Sequence, residues 1–300
     1  MNSNSKGTRV IPAALLVGIL ASYTLGVEAL WLWIASFVLL GMPHGAYDVW
    51  RLRDRSKNGL TAGLTIALYL SVVAGCLYLW HLFPIFSLAL FLLLTAWHWG
   101  SADAYWIEPQ MNSRRVLLGI ARGAWIVAIP IATDFTGAVR IMEQMDVQYS
   151  SRDFLFPPES RLLFLVIGIA CLTAETLSHL RDRRFAPLAE AAILATLAAL
   201  LPSSLFLVTY FVAVHSWRYL YERFSVEGSP LLSPARWGIV VSISLLLIPV
   251  WWNLHSAGSQ SASGASLKAS YLLLVSAITL THDIQMQNQD SFPRAVQAAF

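Results

Sequence analysis

The chain has 300 residues, of which 57% are apolar and only 12% charged, and its net charge is +3. Ordinary globular domains carry about a quarter charged residues, so this balance and a mean hydropathy of +0.60 exclude a soluble globular fold. The small net charge is no argument for nucleic acid as a partner. The apolar stretches lack the in–out alternation of barrel strands and run for about 16–22 residues, as membrane-crossing helices do. The expected class is therefore all-α: a polytopic integral membrane bundle of about 8–10 helices.

Ten spans fit the hydropathy, at about residues 10–26, 28–46, 60–79, 84–100, 116–133, 161–179, 187–201, 204–222, 237–254 and 268–286. Lys6 and Arg9 before the first apolar run resemble a signal peptide, but no small-residue cleavage site leads into a soluble domain, so the run reads as an uncleaved span. Basic clusters alternate with neutral or acidic connections. Lys6 and Arg9, Arg51 to Lys57, Arg114 and Arg115, Arg181 to Arg184, and Arg223 with Arg236 fall on one side. The tight turns near residues 80–84 and 201–203, the loop 256–266 and the acidic loop 134–160 fall on the other. The positive-inside rule then puts both termini in the cytoplasm of a multi-pass inner (plasma) membrane protein. It forms a single domain over residues 1–300, embedded over about 10–286, with 134–160 as an extracytoplasmic loop and 287–300 as a cytoplasmic tail. Cys76 and Cys171 fall within spans and read as small buried apolar residues.

On this topology His44, His98, His215 and His282 lie in the cytoplasmic halves of spans two, four, eight and ten, at one depth. An ionisable group in hydrocarbon costs roughly 2.5–3.5 kcal/mol on insertion scales and so needs a partner or a function. Four imidazoles in one layer point to a shared metal ion. His81 and His255 fall at the opposite face, and His179 closes span six beside Arg181, where snorkelling to water explains it.

Each histidine has a distinctive neighbourhood. Gly41-Met42-Pro43-His44-Gly45-Ala46-Tyr47-Asp48 combines a proline kink with glycines that admit close approach. Asp48, four residues on, lies on the face of His44, where a carboxylate can take the second imidazole N–H. In Trp97-His98-Trp99-Gly100-Ser101-Ala102-Asp103, the aspartate either supports the histidine or ends the helix in water. In His215-Ser216-Trp217-Arg218-Tyr219, Tyr219 is one turn beyond the histidine, and Arg218 reads as an anchor at the membrane face. Thr279-Leu280-Thr281-His282-Asp283 is the weakest of the four. Of two intramembrane glutamates, Glu175 is placed to hydrogen-bond a ligand histidine, whereas Glu190 reads as a helix-start carboxylate favoured by the dipole.

Imidazole ligands suit Zn, Cu, Fe and Ni. Apolar, aromatic-rich surroundings suit a long lipid-soluble substrate arriving from the bilayer, and together these features point to oxygen-dependent chemistry. No two histidines are three or four residues apart, unlike the paired histidines of membrane di-iron desaturases. A haem held by paired histidines and a proton-coupled transporter with a histidine relay remain open from the residues alone.

The chain resembles the Brp/Blh family of membrane β-carotene 15,15'-dioxygenases. The resemblance rests on Gly41 to Ala46 with Asp48, His98 to Asp103, Glu175-Thr176-Leu177, the run from Ala189-Glu190 to Pro202, Thr209-Tyr210-Phe211, His215-Ser216 with Arg218, and Leu280-Thr281-His282. It implies an enzyme that uses dioxygen to cleave β-carotene centrally into two retinals, with non-haem Fe(2+) as cofactor and a retinal-binding protein as a downstream partner. By resemblance His44, His98 and His215 are iron ligands. Two positions depart from the family pattern: Tyr219 stands where a second histidine is usual, and Thr281 where a proline precedes the last histidine. Tyr219 or His282 then completes the shell, and the common depth favours His282. Asp48, Asp103 and Glu175 are expected to orient the ligands. A related oxygenase acting on another polyene or isoprenoid lipid is the alternative enzyme.

Overall fold

The computed structural model describes residues 59–108, 110, 112–144 and 157–218, and among these the secondary structure is entirely helical. The first, second, ninth and tenth expected spans lie outside the described residues, and with them His44, Asp48, Tyr219 and His282.

The six remaining spans are each represented by a described helix; the one expected at 84–100 runs on to Ile107, and the one expected at 204–222 is described only as far as residue 218. They are α1 (Gly59–Leu82), α2 (Pro84–Ile107), α3 (Ser113–Thr133), α5 (Ser160–Arg181), α6 (Phe185–Leu200) and α7 (Ser203–Tyr210), the last continuing into a helical turn, Phe211–Ser216. Three of the described helices, α2, α3 and α5, are long and apolar enough to cross a membrane. The segment expected as the loop 134–160 begins with a ten-residue helix, α4 (Phe135–Gln144). It is amphipathic, with Ala138 and Met142 four apart and buried while Arg140 is exposed, so it folds against the bundle end.

Local chemistry sets the helix ends. Pro84 occupies the first position of α2, where its missing N–H costs nothing. Asn112 caps α3 by accepting from the Arg115 amide at 2.8 Å. α5 ends in a left-handed residue, Arg183 (φ 54°), which lets the Arg184 amide reach back to the His179 carbonyl at 2.9 Å.

The helix α3 is the centre of the bundle, buried along most of its length from Leu118 to Ala132, and it packs against α2, α5, α6 and α7. The faces turned outward are apolar. Leu60, Leu64 and Leu68 make an exposed stripe on α1, and Leu162, Leu163, Val166 and Ile169 do so on α5. Charges meanwhile collect inside. That inversion is what a lipid surround produces, since exposed leucine costs nothing against acyl chains.

Each end of the bundle is laced. At one, Arg184 donates to the Ile107 carbonyl (2.7 Å) and to Glu108 (3.0 Å), while Arg114 pairs with Asp182. The basic connections after α2 and α5 thus share one end, as the loop charges require. At the other end, Asp134 caps two helices at once. One oxygen accepts from the Gly137 amide of α4 at 3.1 Å, and the other from the Ser203 amide of α7 at 2.9 Å. Asp134→Ala should therefore lose both caps, a cost of about 1–3 kcal/mol, read as a lowered unfolding midpoint in detergent. An unchanged midpoint would show that water replaces the carboxylate.

Candidate functional site

His98 and His215 come together. Both are 3% exposed, and their ring centroids are 4.7 Å apart in an edge-to-face arrangement. His98 sits on α2. His215 sits on the turn Phe211–Ser216, which is π-helical rather than the α-helix expected there. Such turns are rare and frequent at functional sites. In a regular α-helix, residues five apart diverge by roughly 140°. The wider π turn delays that rotation, so Tyr210 and His215 both face Trp99, at 5.0 and 6.1 Å. Phe211 stacks on His215 at 5.8 Å, completing an aromatic wall.

The 4.7 Å separation of the rings is close to that of two imidazoles on one ion. Metal–nitrogen bonds of about 2.0–2.1 Å put two imidazoles on one ion roughly 5 Å apart, centroid to centroid. Among the described residues no third histidine, cysteine or carboxylate joins them in a metal-holding group. His44, His282 and Tyr219, the other candidates, lie outside the described residues.

Beside the histidines is an ionic cluster that the sequence reading largely missed. Its hub is Arg122 on α3, a fully buried guanidinium (0% exposed). It donates to Asp103 of α2 through Nε (2.6 Å), to Glu175 of α5 (2.7 Å) and to Glu190 of α6. The second oxygen of Glu175 accepts from the Trp125 indole at 2.5 Å. A second arginine, Arg218, pairs with Asp103 at 2.8 Å and with Glu190. The Tyr210 hydroxyl donates to Asp103 at 2.9 Å. One guanidinium thus ties four helices, and its carboxylate partners bring in a fifth.

Several expectations change on these contacts. Asp103 does not end its helix in water: it is 1% exposed, and its described partners are two arginines and a tyrosine. Glu190 is no helix-start carboxylate, because α6 begins at Phe185 and Glu190 is an ion-pair partner within it. Arg218 is not an anchor in water but lies between two carboxylates. His179 does not snorkel: it is 1% exposed, with Nε2 3.3 Å from Glu175. Glu175 does meet a histidine, but that one, and it meets Arg122 and Trp125 as well. Arg122 was findable in the sequence, as an arginine in the middle of an apolar span that demands partners, with carboxylates available in other spans.

Close backbone contact makes the cluster possible. A Cβ at Gly123 would meet the Ala96 carbonyl oxygen at 1.7 Å, and one at Gly100 would meet the Gly119 oxygen at 2.0 Å. Gly119 and Gly123, four apart on α3, let α2 approach to backbone contact. Arg122 and Asp103 then span the narrow gap beside that crossing.

Comparison with known proteins accords with the resemblance. The family model for Beta-carotene 15,15'-dioxygenase matches residues 35–288. A Halobacterium salinarum protein named "Probable beta-carotene 15,15'-dioxygenase Blh" is 27% identical, over 83% of this chain and 81% of its own length. A protein named "Beta-carotene 15,15'-dioxygenase", from uncultured marine bacterium 66A03, is 24% identical, over 85% of this chain and 91% of its own. No solved structure matches significantly.

Proposed function

The chain belongs to the Beta-carotene 15,15'-dioxygenase family, and from that premise we propose that it cleaves β-carotene, or a closely related carotenoid, at the central 15,15' double bond to give two retinals. The observation that carries the proposal is the buried pair His98 and His215, 4.7 Å apart beneath an aromatic wall. His44, His98, His215 and His282 would hold one non-haem Fe(II), with His282 rather than Tyr219 completing the set. When bound, the iron supplies dioxygen activation in a water-poor site.

The protein's own residues have a limited task. Cleaving one C=C and one O=O bond while forming two C=O bonds balances without an added reductant or a net proton. Side chains need only bind the polyene, orient it and exclude water. Trp99, Phe211 and Tyr210, packed together beside the histidines, make these surroundings apolar and aromatic, the kind that suits a conjugated chain. The carboxylates of the ionic cluster are engaged by arginines, which supports a structural role for them rather than the proton relay of a transporter. In the cell we place the protein in the inner membrane with cytoplasmic termini, delivering retinal to a retinal-binding partner.

The test is expression in a bacterial host that accumulates β-carotene, with the pigments separated by chromatography. Loss of β-carotene with stoichiometric retinal is expected. The His98→Ala and His44→Ala variants should lose both retinal formation and bound iron. Iron retained at the wild-type level with normal turnover in either variant would remove that residue from the ligand set. Unchanged β-carotene with folded wild-type protein would move the substrate to another polyene or isoprenoid lipid, the change that Tyr219 makes the leading alternative.

A further inference from the structure

We infer that Asp103 is the positioning residue for the histidine pair: from α2, its carboxylate grips the π-helical turn on both sides of His215 and so sets the separation of the two imidazoles. The inference rests on reading His98 and His215 as ligands of one metal ion.

The grip is asymmetric in sequence and closed in space. Asp103 lies five residues after His98 on the same helix. Its Oδ2 accepts from the hydroxyl of Tyr210, five residues before His215, at 2.9 Å. Its Oδ1 pairs with Arg218, three residues after His215, at 2.8 Å. Arg122 holds the carboxylate itself, through Nε to Oδ2 at 2.6 Å. A single side chain thus spans the turn Phe211–Ser216 from the helix that carries the other imidazole. Asp103 itself is 1% exposed, so its carboxylate relies on these protein partners.

A π turn explains why such a grip is needed. It holds one residue more than an α turn and is the less favourable conformation, so it persists where tertiary contacts impose it. If one tether is lost, the turn can relax to α-helical register. One residue of register is about 100° of rotation, which swings the His215 imidazole away from His98 rather than moving it slightly. Packed helices switch between discrete arrangements, so loss of the grip separates the pair instead of loosening it.

The test compares wild type, Asp103→Asn and Tyr210→Phe, purified in detergent, by Co(II) titration followed by absorbance and by kcat and KM for β-carotene. Asn keeps the size of Asp103 but removes the charge that holds Arg218. Phe keeps the ring of Tyr210 and removes one hydroxyl. Asp103→Asn should weaken Co(II) binding by about 10–100-fold, as loss of a ligand-orienting partner does, and lower kcat with KM nearly unchanged. Tyr210→Phe should shift both in the same direction by a smaller factor. Wild-type Co(II) affinity and kcat in Asp103→Asn would overturn the inference. Should Asp103→Asn fail to accumulate in the membrane, the same unchanged values in Tyr210→Phe would overturn it. Wild-type protein that cleaves β-carotene without binding Co(II) would instead defeat the metal reading. The kcat of Asp103→Asn would then decide the positioning role: a fall with KM held supports it, and no change overturns it.

Discussion

Arg122→Met is expected to destabilise the folded protein by about 3–5 kcal/mol, the cost of removing one partner from a buried ionic network. The guanidinium is 0% exposed and neutralises Asp103, Glu175 and Glu190 on three different helices. Without it, among the described residues, Glu175 keeps the Trp125 indole and His179, Asp103 keeps Arg218 and the Tyr210 hydroxyl, and Glu190 keeps Arg218. The excess negative charge would then be stranded in a low-dielectric interior. Membrane accumulation and the unfolding midpoint in mixed micelles measure the effect. Arg122→Lys should fall between the two, because an ammonium holds the charge but cannot serve three carboxylates from a planar fork. Adding Glu190→Gln to Arg122→Met should recover part of the loss, since one stranded charge is gone. A midpoint in Arg122→Met equal to wild type would mean that the carboxylates are protonated in the native state and that the hub is not electrostatic.

Gly123→Ala is the second large effect. The new methyl would sit 1.7 Å from the carbonyl oxygen of Ala96, a backbone atom with no rotamer to escape into. Relief requires α2 and α3 to separate, and overpacking of this kind costs about 1–3 kcal/mol, occasionally more. Gly100→Ala meets the Gly119 oxygen at 2.0 Å and should behave alike. Both sites adjoin the Arg122–Asp103 contact, so separation of the helices also lengthens that bond and disturbs the His98 helix. Retinal formation should therefore fall further than stability alone explains. Gly63→Ala and Gly75→Ala on α1 are the controls. Nothing lies within 4 Å of either added methyl, and removing glycine from a helix interior is worth roughly 0.5–1 kcal/mol in favour of the helix. Equal losses at Gly63 and Gly123 would rule out the crossing as the cause.

The two effects have one origin. A bilayer gives no hydrophobic drive for one apolar helix to choose another, so association rests on close packing and interior polar contacts. Gly100, Gly119 and Gly123 supply the first, and Arg122 with its carboxylates supplies the second. The histidine pair sits at the edge of that construction, held by Trp99 and Phe211 on its apolar side and by Asp103 through its neighbours on the polar side.

How much of this could be read from the residues depends on which force sets each feature. The number and placement of the described long helices follow from hydropathy, because the thickness of the hydrocarbon core dictates the length of an apolar run. The pairing of connections at each end follows from Arg114, Arg184 and Asp134, since the charges of short connections stay on their own side of the bilayer. That His98 and His215 need partners follows from the cost of an imidazole in hydrocarbon. Their juxtaposition agrees with the depth argument.

What tertiary structure alone decided is which partner each polar residue takes. Asp103 reads equally well as a helix end or a ligand support until Arg122, Arg218 and Tyr210 surround it, because three helices converge there. Glu190 changes from a helix-start carboxylate to an ion-pair partner for the same reason. The π-helical turn at His215 has no local signature in Phe211-Val212-Ala213-Val214-His215-Ser216, where apolar residues are as content in an α-helix. The sequence by itself therefore determined the class, the placement of the described long helices and the residues too costly to be idle. The tertiary structure decided their pairing, because burial in a low-dielectric interior makes every charge seek the nearest complement and only the packed bundle says which complement is near.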